Sequence, residues 1–218
     1  MYLILIILGV VFIYTLRRRT ILEKQVELFN RLLYIEKSPE KYIAEVDKLL
    51  LKIQSEKEKN INLIQKTIGL FYKGEFDEVV RVLTEEVSKI PPNWQVIYYN
   101  NMLLSLYFKG EIERANEMLK EVKGTIDMYY KKDYNKVTIE IIYAVSDYYN
   151  GRISQCKEFF NNLIEVARND YRVAFGYYFT AKIMEAEGKY EDAEDHMEEA
   201  RTYGHGSFVE TLYLERKE

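Results

Sequence analysis

An acidic histidine cluster near the C-terminus is the part of this chain best equipped for chemistry. Asp192 and His196 are four residues apart and Glu199 follows three residues later, which places the three side chains on one face of a helix. Carboxylate and imidazole groups at such spacings can bind a divalent metal. One hypothesis is therefore a metal-binding or enzymatic helical protein. We favour the alternative, an exposed acidic helix that carries a histidine, because no further His or Cys lies close in sequence.

Nucleophile motifs are present but isolated. Ser154 and Lys157 form an S-x-x-K pair, the spacing of the nucleophile and lysine in penicillin-recognising enzymes, and Ser38 and Lys41 repeat it at another predicted helix start. No K-T-G accompanies either pair, and Cys156 lies where the helices need a small residue to pack. The chain also lacks a G-x-G-x-x-G, a Walker loop and a C-x-x-C. We therefore predict no enzyme, with no catalytic, cofactor-binding or metal-binding residues.

The segment from Tyr129 to Lys136 mixes aromatic and basic residues, as single-strand-binding proteins do. The chain as a whole is acidic, with 31 basic and 35 acidic residues, and three of the basic ones are Arg17, Arg18 and Arg19. An acidic body disfavours contact with phosphate backbones. We predict no nucleic-acid partner, and we assign residues 126–136 to a long loop between helices.

Four glycines mark a repeating pattern that would position these residues. Gly74, Gly110, Gly151 and Gly188 are spaced 36, 41 and 37 residues apart, and each separates two amphipathic stretches. The apolar residues follow the 3.6-residue helical period, with no sustained period-2 alternation. A period of this length is typical of stacked helical hairpins. The sequence therefore predicts an all-α fold built as a helix-hairpin repeat array.

The residues after each glycine share a packing pattern. The residues two positions after the glycines are Phe76, Ile112, Ile153 and Tyr190. Those five positions after are Val79, Ala115, Cys156 and Ala193. Those nine positions after are Leu83, Leu119, Phe160 and Met197. Pro91 follows the first unit and Ala200 lies twelve residues after the last glycine. The pattern resembles the tetratricopeptide repeat. The resemblance implies a right-handed superhelix whose first helices line a concave, protein-binding groove.

The domain boundaries follow from this pattern. Residues 1–19 are predicted to form an anchor, residues 20–57 a leading helical pair that is a degenerate repeat, and residues 206–218 a C-terminal capping helix. The four repeat units between them are predicted at about 58–92, 93–125, 134–169 and 170–205. We also expect the polar stretch 56–60 to separate the leading pair from the first unit.

Residues 2–16 carry no charge and are followed at once by Arg17, Arg18 and Arg19. A helix of this length rises roughly 24 Å, which spans a bilayer core of roughly 30 Å if the arginines snorkel and the bilayer thins. A signal peptide is disfavoured because no basic region precedes the apolar run and no cleavage site follows it. Because positive charge marks the cytoplasmic side, we predict a single-pass membrane protein with its N-terminus outside and its C-terminal domain in the cytoplasm. The arginines would lie at the membrane interface.

The first helices carry many of the 20 tyrosines, and tyrosine combines apolar area with a hydroxyl in a way that suits peptide binding. The positions that the resemblance assigns to the groove, with the neighbouring Asn101, give a predicted partner site: Asn100, Asn101, Tyr107, Tyr148, Tyr178 and Lys182. The predicted function is a membrane-anchored adaptor that binds a protein or peptide segment of another membrane-associated protein, without a cofactor. Besides the metal or enzyme hypothesis, a structural subunit whose groove is filled by its own C-terminus or by another copy stays open.

Overall fold

Residues 2–217 fold into eleven α-helices and contain no β-strand. The computed structural model describes this backbone, and the side chains within it except those of residues 2–11, 13, 14, 18, 133 and 134. The helices are α1 Tyr2–Asn30, α2 Pro39–Leu50, α3 Glu56–Lys73, α4 Phe76–Arg81, α5 Gln95–Phe108, α6 Ile112–Asp127, α7 Asp133–Tyr149, α8 Ile153–Val166, α9 Asp170–Ala186, α10 Tyr190–Tyr203 and α11 Phe208–Glu215. π-Helical turns follow α1 at Arg31–Ile35 and α4 at Val82–Glu86. The all-α prediction is confirmed.

The four predicted glycines end α3, α5, α7 and α9 in one shared geometry. All four have positive φ angles between 73° and 86°, a conformation that strains residues with a Cβ. At each, the residue after the glycine donates its N–H to the carbonyl five residues earlier, as Glu75 does to Leu70 and Lys189 to Met184. This is the Schellman arrangement of a helix C-terminus. Each glycine therefore stops one helix and reverses the chain into the next.

The small residues five positions after each glycine lie at the closest approach of the paired helices. Val79, Ala115, Cys156 and Ala193 are all fully buried, which lets two helix backbones pack closely. The Cys156 thiol donates to the Ile153 carbonyl, and burial raises the pKa of this thiol. A raised thiol pKa lowers the thiolate fraction and with it the nucleophilicity, so Cys156 has the environment of a packing residue.

Two local predictions were wrong. Residues 56–60 do not separate two units, because α3 begins at Glu56. Ser88 ties this first turn to the end of the hairpin: its hydroxyl lies 2.8 Å from a Glu56 carboxyl oxygen, and its backbone N–H donates to the Asn60 side chain at 3.2 Å. The predicted loop 126–136 is also shorter, since α6 continues to Asp127 and α7 begins at Asp133.

The N-terminal segment, from the end of α1 to α2, packs back onto the hairpin of α9 and α10. Phe29, Leu33 and Tyr42 share a buried cluster with Tyr171 at the start of α9. The Lys37 ammonium lies 2.7 Å from the Asp170 carboxylate and donates to the Tyr203 carbonyl. These contacts join segments far apart in sequence, so no local pattern predicted them.

The C-terminal helix does more than cap the last hairpin. Phe208, which begins α11, is 3% exposed and lies among aromatic rings from α3, α4, α5 and α9, with centroids 4.9 Å away at Phe108 and 5.2 Å away at Phe76. A Cβ on Gly74 would lie only 2.9 Å from the Cβ of Phe208, so the glycine also makes room for this ring. The chain itself therefore fills part of the space between α3, α5 and α9.

Candidate functional site

A cavity of about 280 Å³ lies beside these aromatic rings, and Phe71 and Phe175 contact Phe208 and also line the cavity. α3, α5, α7 and α9 supply its walls, and Tyr34 from the N-terminal pair closes one side. Its apolar lining residues are Ile68, Phe71, Ile97, Leu104, Ile141 and Phe175, and its polar ones are Tyr34, Tyr72, Asn93, Asn100, Asn101, Asn135, Thr138, Tyr171 and Arg172. Concave sites with apolar walls and a few converging polar groups are typical of ligand binding.

A chain of hydrogen bonds orients Asn100 at this cavity. The Thr67 hydroxyl donates to the Ile64 carbonyl at 2.6 Å, so the Thr67 oxygen must accept the proton that the Asn101 amide donates at 2.9 Å. The Asn101 carbonyl oxygen then accepts from the Asn100 amide at 3.1 Å. Because the direction of each bond follows from the one before, one N–H and the carbonyl oxygen of the Asn100 side chain are left without a hydrogen-bond partner among the described residues. Those two groups match the donor and acceptor of a peptide unit.

Arg172 is the cation of the cavity. One guanidinium nitrogen donates to the Thr138 hydroxyl oxygen at 2.8 Å, which leaves the Thr138 proton and the other guanidinium protons available. Among the side chains that the structure describes, no carboxylate pairs with Arg172, and no Asp or Glu lines the cavity. The cavity therefore has a net positive lining inside an acidic protein.

Three tyrosine hydroxyls add hydrogen-bond donors. Burial raises the pKa of Tyr34, of Tyr72 and of Tyr171, and the Arg172 guanidinium partly offsets the rise for the first two. All three hydroxyls thus stay protonated at neutral pH. The Tyr171 hydroxyl is buried and has no hydrogen-bond partner among the described residues, and buried polar groups are rarely left unsatisfied.

Only two of the predicted groove residues, Asn100 and Asn101, line this cavity. Tyr107 is fully buried instead: its hydroxyl donates to the Asn116 side chain at 2.7 Å, and its ring stacks on Tyr149. Its side chain is a contact between helices, so it presents no surface to a partner in this conformation.

The other three predicted groove residues are not among those that line the cavity. Tyr148 and Tyr178 are half-buried, with ring centroids 5.0 and 5.2 Å from that of Phe179. Lys182 pairs with Glu185 at 2.6 Å on the same helix. The structure therefore does not bring these residues together with Asn100.

Sequence reasoning missed Tyr34 and Arg172. Tyr34 reaches the cavity only through closure of the N-terminal pair onto α9, which no periodicity encodes. Arg172 lies in the first turn of α9, before the groove positions that spacing from Gly188 assigns. Thr138, which holds Arg172, does occupy a groove position, thirteen residues before Gly151.

The acidic histidine cluster forms no metal site in the part of the chain that the structure describes. His196 Nδ1 lies 2.9 Å from the backbone oxygen of Asp192, and its ring packs edge-on against Tyr177. Asp192 and Glu199 are exposed. Among the described residues, no group of three or more His, Cys, Asp or Glu side chains is arranged to hold a metal ion.

The predicted membrane span, residues 2–16, falls mostly on side chains outside the described set, as does Arg18. Arg17 and Arg19 are exposed, and Arg19 donates to Glu23 at 2.8 Å along α1. Within the described residues, no helix combines the length and apolar character needed to cross a bilayer.

The fold defines an all-helical protein of packed helix pairs, an architecture compatible with helical repeat proteins. No protein-family model, curated protein or solved structure matches the chain.

Proposed function

We propose that this chain is a membrane-anchored adaptor with a tetratricopeptide-like right-handed superhelix, which binds an extended segment of another membrane-associated protein. The four identical glycine turns and the buried small residues after them support the repeat assignment. The observation that carries the binding proposal is the orientation of the Asn100 side-chain amide by its hydrogen bond to Asn101. Its remaining N–H and its carbonyl oxygen, which have no partner among the described residues, complement a peptide backbone unit.

The membrane part of the proposal rests on the uncharged run of residues 2–16 and the arginines that follow. Exposed apolar side chains continue along α1, with Phe12 62% and Leu16 48% exposed. Such side chains are costly in water, and a bilayer and its interface would cover them. Tethering would raise the effective concentration of the adaptor toward other membrane proteins.

Changing Ile6 and Leu8 together to lysine should release the protein from membranes. A lysine near the middle of a span costs about 3 kcal/mol, so the double variant should move to the soluble fraction after alkaline extraction. Ile6→Leu with Leu8→Ile is the matched control and should stay in the pellet. Wild-type protein in the soluble fraction would contradict the anchor.

A cysteine in place of Tyr2 should react with an impermeant reagent in intact cells, whereas one in place of Asn162 should react only after lysis.

Asn100→Ala should weaken peptide binding about thirtyfold, because two hydrogen bonds of roughly 1 kcal/mol each are lost. The measurement is panning of a random peptide library on the full chain in detergent, followed by titration of the enriched peptides against both proteins. Asn162→Ala, at an exposed position on α8, is the matched control and should bind as the wild type does. Peptides that bind the Asn100 variant and the wild type equally, or a library that yields none, would contradict binding at this edge.

A second candidate function, a structural subunit whose groove is filled by its own C-terminus, is favoured by the position of Phe208. Its ring packs against Phe71 of α3, Phe108 of α5 and Phe175 of α9. The two proposals can both hold, since Phe208 is not among the residues that line the cavity.

A further inference from the structure

We propose that the cavity binds the carboxylate of a compact, largely apolar organic acid, with Arg172 as its counter-ion. The inference rests on the proposed function only in using the same cavity. It concerns a different residue from Asn100 and a different chemistry from recognition of a peptide backbone.

The charge of the lining selects an anion. Arg172 has no carboxylate partner among the described side chains, and its one hydrogen bond goes to the neutral Thr138 hydroxyl. A half-buried guanidinium is usually paired, because burial of an unpaired charge is costly. No described residue supplies an anion to this lining, so a ligand anion is the natural partner. Arg presents a planar fork of donors that fits a carboxylate in a bidentate geometry.

The neighbouring groups are donors, as an anion requires. Thr138 accepts from Arg172 and so keeps its own proton to donate. The hydroxyls of Tyr34 and Tyr72 stay protonated because burial raises the pKa of both. Neither of these two hydroxyls has a hydrogen-bond partner among the described residues. The carboxylate oxygens can therefore accept several hydrogen bonds at once.

The other lining residues and the volume of the cavity restrict the polarity and the size of the rest of the ligand. Ile68, Ile97, Ile141 and Phe175 form apolar walls, which favour an aliphatic or aromatic group and disfavour a hydrated dianion such as phosphate. A single guanidinium matches one negative charge. The volume of about 280 Å³ lies at the lower end of small-molecule sites, so the acid is compact. A free acid and the carboxyl terminus of a peptide share this chemistry.

The test is a calorimetric titration of the full chain in detergent with phenylacetate, phenylacetamide and inorganic phosphate. We expect phenylacetate to bind at one site and the amide, which has the same shape without the charge, to bind at least about tenfold more weakly. This comparison needs no variant, so it holds even where a substitution disturbs folding. Failure of phenylacetate to bind at millimolar concentration, or equal binding of the amide or of phosphate, overturns the proposal.

Arg172→Gln locates the site. We expect this variant to lose phenylacetate binding, whereas Arg168→Gln, at an exposed arginine outside the cavity, should bind as the wild type does. Retained binding by the Arg172 variant overturns the assignment. The phenylacetate titration tests Arg172 and the peptide titration tests Asn100, so either proposal can fail while the other holds.

A further comparison identifies the source of the carboxylate. A short peptide that ends in phenylalanine is titrated with a free and with an amidated C-terminus. Tight binding of the free form alone supports the carboxylate site and assigns its ligand to a chain terminus. Binding of phenylacetate but of neither peptide supports it with a free acid as the ligand. Equal binding of both peptides at Arg172 overturns it.

Discussion

Gly206→Ala is expected to destabilise the protein by about 3 kcal/mol or more, because two penalties coincide at this residue. Gly206 has a φ of +76°, and a Cβ built on it would lie 2.1 Å from the carbonyl oxygen of Lys37. That oxygen belongs to the backbone, so it cannot move away as a flexible side chain would. The substitution should therefore break the junction between the N-terminal pair and the last repeat. Denaturant unfolding of the full chain in detergent, followed by circular dichroism, measures the loss.

Gly188→Ala separates the two penalties. Gly188 has nearly the same φ, +78°, but a Cβ added to it would meet nothing within 4 Å, so only the conformational strain of about 1 to 2 kcal/mol should appear. The difference between the two variants measures the clash with Lys37. Equal losses in both would mean that the contact between Lys37 and Gly206 is absent or adds nothing to stability.

Packing of the N-terminal segment against α9 also shapes the cavity. Tyr34 lies against Tyr171 with ring centroids 6.1 Å apart, and Lys37 pairs with Asp170 beside it. If Gly206→Ala separates these segments, Tyr34 leaves the cavity and Arg172 becomes more exposed. The same variant should therefore bind phenylacetate more weakly, although no substituted atom touches the ligand site.

The helices and their pairing were predictable because they depend on local signals. Apolar residues at the helical period and a glycine at a fixed place in each unit specify where a helix ends and reverses. The contact between Lys37 and Asp170 was not predictable, because three helical hairpins, from α3 to α8, separate the two residues in sequence. The same holds for Phe208: the sequence favours a short final helix but does not say which helices its first residue contacts.

The candidate site was predictable only in part, for a related reason. Spacing from Gly110 places Asn100 on the inner face of α5, and this face does line the cavity. The same spacing places Tyr107 there, yet Tyr107 is covered by Asn116 and Tyr149. Periodicity identifies the side of a helix that faces its neighbours. It does not distinguish a face that lines a cavity from one that neighbouring helices fill.

Phe208→Ala is expected to cost about 3 to 5 kcal/mol, the range for truncating a buried aromatic residue when the surroundings cannot collapse. Phe208 is 3% exposed, and its ring centroid lies 5.4, 5.2 and 4.9 Å from those of Phe71, Phe76 and Phe108, respectively. These three rings come from three different helices. Removal of the Phe208 ring therefore leaves a void between them that no single side chain can fill. Thermal and denaturant unfolding of the full chain in detergent measure the loss.

Leu214→Ala is the matched control for Phe208, because Leu214 lies on the same helix with 53% of its surface exposed. Its truncation should change stability by no more than about 0.5 kcal/mol. A Phe208 variant that loses no more than this control would show that α11 does not occupy the groove. If the stability falls as expected, the peptide titrations distinguish the two roles of the groove. A structural plug that only fills space leaves peptide affinity unchanged in the Phe208 variant, whereas a plug that competes with a partner raises it.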